Sequence, residues 1–361
     1  MKKYILPLFA FLALPALVLA QNNMVTNYNQ HWNLVGSRQL PSKLGLDYAT
    51  VQLHFLNTHV YGGSSSIPFS TSSELTNSEI DKNINRLRPI NNIGAGLDMD
   101  WFGFSYKIEK EDEEVVTISA MITDRAAANL LYSKNLAQLL WKGNKQFAGQ
   151  NINLGPLSVN AFHLREYALG AAMPIDVSDK FTVRAGMRLK YLQGIDALYM
   201  PKSDAHLFTE QDGRYLEFDM DYEMHTTLQD REDGSSGYDG TPIGSGFGTD
   251  LGITANFDDR FSGSFSLLDL GFITYRENTK MYGIQTKVRY EGAEVNNLFD
   301  DPEFEVMEEI EDKLEGEEST NEKFTMPTST KIMLQGEYII GAETKKHGRE
   351  YNKGTAYFTY V

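Results

Sequence analysis

The chain has 361 residues and no cysteine, which excludes disulfides, thiolate metal sites and haem attached through cysteine. It carries 49 acidic and 33 basic residues, a formal net charge of −16, so nucleic acid and anionic lipid surfaces are not expected partners. Twelve of the acidic residues lie between positions 300 and 322 beside a single lysine, Lys313, so much of the excess charge belongs to one segment.

The first twenty residues have the pattern of a secretory signal peptide. Lys2 and Lys3 precede an uncharged apolar run, 4–19, which ends before Ala20, a small residue of the kind found at cleavage sites. A membrane-anchor helix is less favoured, because two prolines interrupt the run and no positive charge follows it closely. We therefore predict that residues 1–20 are a signal peptide and that the exported chain resides in the outer membrane.

Beyond position 20, no apolar run approaches the ~20 residues that a membrane-spanning helix needs. Any crossing of a membrane is expected to use strands, and only a closed barrel gives every backbone group in lipid a hydrogen-bond partner. The predicted fold class is all-β: a transmembrane antiparallel β-barrel with short helical insertions in extracellular loops. The expected organisation is a periplasmic N-terminal segment, 21–46, followed by the barrel, 47–361.

Two segments alternate apolar and polar side chains most clearly, which is typical of barrel strands between lipid and a wet interior. In the first, 180–192, the residues expected to face the lumen are Arg184, Arg188 and Lys190. In the second, 215–226, the set expected to face the lumen is acidic: Glu217, Asp219, Asp221 and Glu223. The residues expected to face lipid are Phe181, Val183, Met187, Leu189, Leu216, Phe218, Met220 and Tyr222.

The acidic row of 215–226 has two interpretations. Like charges two residues apart on one strand face repel one another, so the row needs counterions. It either forms a cation site or selectivity surface in the lumen, or pairs across the lumen with the cations of 180–192. The second interpretation is favoured.

The connections between these strands fall into two length classes. Short ones are expected at 109–114, 176–179, 211–213 and 258–260, and long ones at 62–92, 124–156, 231–244 and 276–323. Outer-membrane barrels keep short turns in the periplasm and long loops outside. The segments 124–156 and 276–323 are therefore predicted to form an extracellular cap. Leucines and other apolar residues at helical spacing predict helices over 126–141, ending before Gly143, and over 302–314, whereas 231–248 is expected to lack regular structure.

No pattern in the chain indicates catalysis. The seven histidines show no metal-ligand spacing, and neither a nucleophile elbow nor a phosphate-binding glycine loop is present. We predict no catalytic, cofactor-binding or metal-binding residues, no cofactor, and a protein that is not an enzyme. Aromatic residues near strand ends, among them Trp101, Tyr191 and Tyr275, are expected to form a girdle at the membrane interface.

Several short motifs carry a resemblance to a known family. They are Lys142-Gly143-Asn144, Phe147-Ala148-Gly149, Arg165-Glu166-Tyr167-Ala168-Leu169-Gly170, Ala185-Gly186-Met187-Arg188-Leu189-Lys190-Tyr191-Leu192-Gln193-Gly194, Gly248-Thr249-Asp250-Leu251-Gly252, Leu267-Leu268-Asp269-Leu270-Gly271-Phe272-Ile273 and Met326-Pro327-Thr328. From about residue 47 to the end, the chain resembles an uncharacterised outer-membrane β-barrel family of Bacteroidota. That family is itself similar to FadL-type fatty-acid transporters and to the PorV component of the type IX secretion system.

The resemblance implies a barrel of about fourteen strands, whereas the pattern gives about eleven, so we expect the barrel to be truncated at its C-terminus. The implied function is a FadL-like channel or transporter that binds or passes a small molecule, a hydrophobic one being the first expectation. The alternative is a PorV-like structural barrel for secretion or surface attachment, and the second alternative is a soluble secreted β-sandwich or adhesin. The expected partners are outer-membrane lipid, a small hydrophobic ligand, and secretion or surface proteins.

Overall fold

The computed structural model describes residues 34–46, 49–65, 77–178, 180–227, 240–257, 260–291, 317–320, 322–340, 343–344, 350–351 and 354–360. Its strands are β1 (Val51–Ser64), β2 (Ile90–Lys110), β3 (Glu113–Ser133), β4 (Gln150–Asn153), β5 (Leu157–Ser178), β6 (Phe181–Thr209), β7 (Leu216–Thr226), β8 (Gly244–Phe257), β9 (Phe261–Tyr275), β10 (Lys280–Tyr290), β11 (Glu317–Thr320), β12 (Phe324–Pro327), β13 (Lys331–Ile340), β14 (Glu343–Thr344), β15 (Glu350–Tyr351) and β16 (Gly354–Tyr360). The helices are α1 (Asn77–Arg86) and α2 (Lys134–Lys142), and single 3₁₀ turns lie at Gly36–Arg38, Pro41–Lys43 and Lys145–Phe147.

One antiparallel sheet contains fourteen of these strands, and β14 and β15 form a separate two-stranded sheet, which confirms the all-β prediction. Its main path runs β1-β2-β3-β5-β6-β8-β9-β13-β16, so neighbours along the path are mostly neighbours in the chain. The end strands β1 and β16 do not pair with each other in the described part of the chain, so the sheet is not closed there. The strands of the path are long, up to the 29 residues of β6.

Tight turns join the long strands at one end of the sheet. Between β2 and β3, Glu111 and Asp112 both have positive φ, 55° and 66°, which is the backbone of a two-residue type I′ hairpin turn. The prediction of a short connection at 109–114 is therefore confirmed. A second predicted turn, 211–213, joins β6 to β7, but it lies at the opposite end of the sheet, because β6 begins beside the first end at Phe181 and runs to Thr209. The expectation that all short connections lie on one side is therefore wrong for 211–213.

The sheet divides along β6, because the two halves of this strand have different partners. Residues 181–194 pair with β8, whereas residues 198–209 pair with β7, which in turn pairs with β10. β4 and β11 complete this second part, which we call the extension: β4, residues 198–209 of β6, β7, β10 and β11. The predicted cap segment 276–323 therefore supplies two strands of the sheet, β10 and β11, to the extension.

The helix predicted over 126–141 is wrong in its first half. Residues up to Ser133 continue β3 and pair with β5, from Ala126 opposite His163 to Tyr132 opposite Leu157. Helix α2 begins only after Ser133, whose side chain accepts a hydrogen bond from the Leu136 amide, and it ends at Gly143 as predicted. The predicted helix 302–314 lies outside the described residues. Of the region 231–248, expected to be irregular, residues 244–248 begin β8.

The described part of the N-terminal segment, residues 34–46, lies inside the curved sheet. We call it the inner segment. Leu34, Leu40 and Leu44 are buried, and the segment contacts strands near both ends of the main path, β2 and β13. The inner segment approaches the backbone of β6 closely at Gly186, where a Cβ atom would lie 2.2 Å from the Pro41 carbonyl oxygen. A glycine at this position makes that approach possible. The periplasmic location predicted for residues 21–46 stays a prediction, and residues 34–46 of that segment contact the inner face of the sheet.

Candidate functional site

The two faces of the main sheet have opposite chemistry, and the first half of β6 shows this most clearly. Arg184, Arg188 and Lys190 are buried on the concave, inner face, Arg188 with 3% of its surface exposed. Met187 and Leu189 on the convex, outer face are 44% and 56% exposed, and Phe181 and Val183 are half-buried. Charged side chains inside and apolar side chains outside are the reverse of a water-soluble protein.

The same sorting continues on the neighbouring strands. The exposed apolar side chains of β5, β8 and β9 are Tyr167, Leu169, Met173, Ile175, Val177, Phe247, Leu251, Ile253, Phe257, Phe261, Phe265, Leu270 and Phe272. Buried polar side chains alternate with them, including Glu166, Asp250, Thr254, Ser264 and Ser266. An apolar surface this continuous is far larger than the patches of a few hundred Å² found on soluble monomers.

Two rows of aromatic residues border this apolar surface. On adjacent strands, Tyr167, Tyr191, Phe247 and Phe272 are successive register partners, with ring centroids 6.3 and 5.6 Å apart for the first two contacts. The second row, beside the tight turns, runs through Phe181, Phe257, Phe261 and Tyr338. The apolar surface between these two rows is called the band.

A row of polar residues lies immediately beyond the first aromatic row, on the side away from the tight turns. Its members are register partners from β3 to β12: Asp124, Arg165, Gln193, Ser245, Thr274 and Thr325. Arg165 and Asp124 form a two-point ion pair at 2.6 and 2.8 Å, and the Trp101 indole donates to Asp124 at 2.9 Å. The outer surface therefore changes from apolar to polar along one line across six strands.

On the inner face, buried charges of both signs form one connected network. Asp269 lies at its centre: Arg125 donates to both carboxylate oxygens at 2.8 and 3.0 Å, and Lys190 donates at 2.6 Å. Glu166 pairs with Arg125 and Arg188, at 3.3 and 3.2 Å. These groups come from β3, β5, β6 and β9, so the network links strands far apart along the sheet.

Backbone irregularities in β8 and β9 place the two aspartates of this network. Asp269 has a positive φ of 54°, a conformation that Asp tolerates better than most residues, and its amide donates to the Asp250 carboxylate at 2.7 Å. The register between the two strands shifts beside Asp250. Asp250 also binds Arg188 and Lys190, at 3.3 and 2.7 Å. A polar cavity of about 20 Å³ remains among the charged groups, room for one water.

The inner segment joins this network through Arg38. Its two terminal nitrogens donate separately to Asp98 and Asp100 of β2, each at 2.9 Å. Asp100 is fully buried and also accepts hydrogen bonds from Thr123 at 2.8 Å and from Asn57 at 3.2 Å. Burial lowers the pKa of Arg38, but the carboxylates of Asp98 and Asp100 outweigh it and raise the pKa above its ordinary value.

A second set of contacts fixes the other end of the inner segment. Lys43 donates to Gln335 and Glu337 of β13 at 3.0 and 3.2 Å. Burial lowers the pKa of Lys43, and the neighbouring Glu337 offsets only part of that effect. Arg184 donates to the backbone carbonyls of Ser42 and Leu44 and pairs with Glu114 at 2.7 Å. The segment is therefore held by charged groups as well as by its buried leucines.

The expected pairing between the acidic row of β7 and the cations of β6 is wrong. The cations bind Glu114, Glu166, Asp250 and Asp269 instead. The acidic row binds groups of the extension: Glu223 pairs with Lys202 and His225, Asp221 lies 4.0 Å from Lys202, and Glu217 lies near Lys287 and Arg289. Asp219 is exposed. The reason is the pairing of β7 with residues 198–209 of β6, away from residues 184–190.

The predicted surroundings of the apolar face of β7 are also wrong. Leu216, Phe218, Met220 and Tyr222, expected to face lipid, pack against a buried cluster of Phe147, Ile152, Leu154, Ala205 and Leu207. Among the aromatic residues expected in an interface girdle, Tyr275 is fully buried, with its ring stacked on Phe324 at 5.0 Å. The two corrections concern different buried clusters: the side chains of β7 pack in the core of the extension, whereas Tyr275 packs with Leu192, Ile273 and Phe324 in a cluster of the main sheet.

Sequence reasoning found the buried cations of β6 but missed most of their partners. Asp98, Asp100 and Asp250 are polar positions in segments that alternate polar and apolar residues, and this alternation is a signal that could place them on the inner face. Glu166 and Asp269 were noted only within motifs, and Arg38 has no periodic pattern around it. In the described ranges, no group of three His, Asp or Glu side chains is placed to hold a metal ion.

The fold and the site define a class: a curved antiparallel β-sheet with an apolar outer band and a charged interior filled by the protein's own N-terminal segment. The chain belongs to a family of unknown function, DUF5723, whose model matches residues 47–360. No curated protein and no solved structure matches it significantly. Among the described residues, no helix has both the length and the apolar character to cross a membrane.

Proposed function

We propose that the protein is an outer-membrane β-barrel that carries a small polar or charged molecule and is closed, in this state, by its inner segment. The observation that carries the membrane assignment is the band between the two aromatic rows. Its support is geometric as well as chemical, because lipid sets both the height of such a surface and the residues at its borders.

The height of the band fits a bilayer. Phe181 and Tyr191 belong to the two aromatic rows and are ten residues apart on β6, about 33 Å along the strand at about 3.3 Å per residue. A barrel strand tilted by about 40° spans about 25 Å of membrane over that length, which is the height of the apolar band in outer-membrane barrels. The polar row beyond Tyr191 then lies at the water interface.

Lipid also requires that the sheet close, because an unpaired strand edge in hydrocarbon leaves backbone groups without partners. The inner segment supports closure. Arg38 reaches β2 and Lys43, five residues later, reaches β13, so the two ends of the main path lie on either side of one short segment. We propose that the barrel closes across the gap between β1 and β16.

The interior supports transport of a polar molecule better than the hydrophobic one first expected. Arg125, Arg188, Lys190, Glu166 and Asp269 occupy the middle of the interior, where an apolar molecule would displace water and hydrogen bonds from charged groups. A barrel that served only as a support would be at least as stable with apolar groups in these positions. Buried charges in a lumen that is filled by a segment outside the sheet favour a passage that opens when that segment leaves.

Membrane extraction and conductance test this proposal. The full chain is expected to stay in the membrane pellet after carbonate treatment. In planar bilayers the native chain should conduct rarely, whereas a chain lacking residues 34–46 should conduct steadily, with Leu140→Ala in exposed helix α2 as the control. Release by carbonate would exclude the membrane assignment and favour a secreted sandwich or adhesin. A deletion variant that inserts but never conducts would argue against transport.

A scaffold role remains the second candidate, and the extension is the observation that favours it. The extension continues β6 beyond the polar row by residues 198–209 and carries its own apolar cluster, so it forms a folded body outside the proposed membrane. Capture from intact, crosslinked envelopes tests this role. A stoichiometric partner lost from a chain with altered charges at exposed Asp219 and Arg289, but kept after Leu140→Ala, would support it.

A further inference from the structure

The contacts of Arg38 describe a binding site that the protein fills with its own side chain. Asp98 and Asp100 lie two residues apart on the inner face of β2, and each receives one nitrogen of the same guanidinium at 2.9 Å. Thr123 and Asn57 hold Asp100 in place from the neighbouring strands β3 and β1. The carboxylates are therefore positioned by the sheet, whereas the cation between them comes from the inner segment, which is not a strand of the sheet.

Removal of the inner segment would leave this pair uncompensated. Two buried carboxylates on one strand face repel each other, and an unpaired buried charge is far less stable than a paired one. Arg125 lies beside Asp98 at 3.6 Å, but its fork is already engaged by Asp269. Release of the inner segment therefore costs less when another cation takes the place of Arg38.

We propose that Asp98 and Asp100 form a recognition site for a guanidinium-bearing ligand, and that this ligand opens the interior by exchanging with Arg38. This inference rests on the proposed transport function and names its ligand class. A planar fork fits two separate carboxylates better than a point charge does, because each carboxylate receives its own N–H at hydrogen-bond distance. The exchange explains how a segment held by charged groups is released by a specific molecule.

The experiment uses one ligand with opposite expected effects in two proteins. The chain has no cysteine, so Val35→Cys, buried in the inner segment with 5% of Val35 exposed, reports release of the segment through its rate of maleimide labelling. Leu140→Cys on the exposed face of α2 is the control, since Leu140 is 79% exposed. Methylguanidinium is the probe, and tetramethylammonium at equal ionic strength is the matched salt.

In the Val35→Cys protein, methylguanidinium competes with Arg38 and is expected to raise the labelling rate about tenfold or more. In the same protein carrying Arg38→Ala, labelling without ligand should be about a hundredfold faster, because the two carboxylates have lost their cation. Methylguanidinium then fills the space left by the missing side chain, and the rate is expected to fall about tenfold. Tetramethylammonium should change neither rate, and neither salt should affect Leu140→Cys.

A response in the same direction in both proteins, or an equal response to the two salts, would overturn the proposal. If Arg38→Ala inserts only when methylguanidinium is present, that rescue also supports the proposal. If Arg38→Ala never inserts, the competition in the Val35→Cys protein that keeps Arg38 decides alone. Membrane insertion is read separately by carbonate extraction. A chain that inserts but shows no competition contradicts the recognition site and leaves the membrane assignment standing.

Discussion

The first half of β6 and the strand β7 alternate apolar and charged residues in the same way, yet the protein buries opposite faces of the two strands. In β6 the charged face is inside, with Arg188 bound to Glu166 and Asp250, and the apolar face is exposed. In β7 the apolar face packs against the cluster around Leu207, and the charged face carries partly exposed ion pairs. The alternation therefore reports a strand with two unlike faces but not which face meets protein.

The surroundings decide which face is buried. Within the band, the proposed solvent is lipid, which accepts apolar side chains and excludes charges, so charges are stable only inside, among partners. In the extension the solvent is water, and the apolar face is buried by the hydrophobic effect. The polar row from Asp124 to Thr325 marks the boundary between these two regions: charges are buried on one side of it, and apolar side chains are buried on the other.

The largest effect is expected from the centre of the charge network. Asp269→Asn keeps the shape and the tolerance of positive φ but leaves Arg125 and Lys190 without their shared carboxylate, so the free energy of unfolding should fall by about 3–5 kcal/mol. Asp219→Asn on the exposed face of β7 is the matched control and should change it by less than about 0.5 kcal/mol. Urea unfolding in detergent measures both. Equal effects would show that the inner and outer charges are equivalent.

A slightly smaller and more local effect is expected in the core of the extension. Leu207 is 1% exposed within the buried cluster, so Leu207→Ala should cost about 2–5 kcal/mol by leaving a cavity. Because the cluster belongs to the extension, the expected sign is faster protease cleavage of 198–226 while the rest of the chain remains protected. Leu189→Ala on the band leaves no cavity and should keep the cleavage pattern unchanged. Loss of protection throughout the chain would show that the two regions unfold together.

The parts predicted correctly from the sequence depend on local information. The alternation of apolar and polar residues predicted the first half of β6 and its buried cations. Turn residues predicted the connections at 109–114 and 211–213, and Gly143 predicted the end of α2. Strand partners depend on residues distant in the chain, so the sequence did not show that β6 changes partner between residues 194 and 198. The site was therefore found only in part: Arg188 and Lys190 were expected, whereas their carboxylate partners were assigned to the wrong strand.

Arg38 illustrates a different limit. It stands in a short segment of single 3₁₀ turns, where no helix or strand period indicates which way a side chain points. Its role follows only from the distance to Asp98 and Asp100 across 60 residues of chain. A lone arginine before the first strand has no sequence signal that separates a buried ion pair from an exposed charge.

A charge introduced on the band tests whether lipid or water covers that surface. Met187 is 44% exposed and lies between the aromatic rows, so Met187→Lys should reduce the stability of the inserted protein by about 2–4 kcal/mol if the band meets lipid. His206→Lys on the exposed face of the extension adds a similar group in water and should be neutral. Insertion into vesicles of defined composition, followed by urea titration, measures the difference. A neutral Met187→Lys would mean that water covers the band.

The smallest effect is expected where charges meet on the exposed face of the extension. Glu217 lies 3.8 and 3.9 Å from Arg289 and Lys287, and all three side chains are partly exposed, so Glu217→Gln should change stability by less than about 0.5 kcal/mol. Raising the salt concentration should remove even that difference, because water and ions already screen these charges. The comparison becomes sharper with Glu166→Gln, in which the same chemical change meets buried Arg188 and Lys190 that salt does not reach. A large loss at Glu217 that salt does not change would place the face of β7 in a less aqueous setting than the extension provides, and the boundary at the polar row would have to move outward.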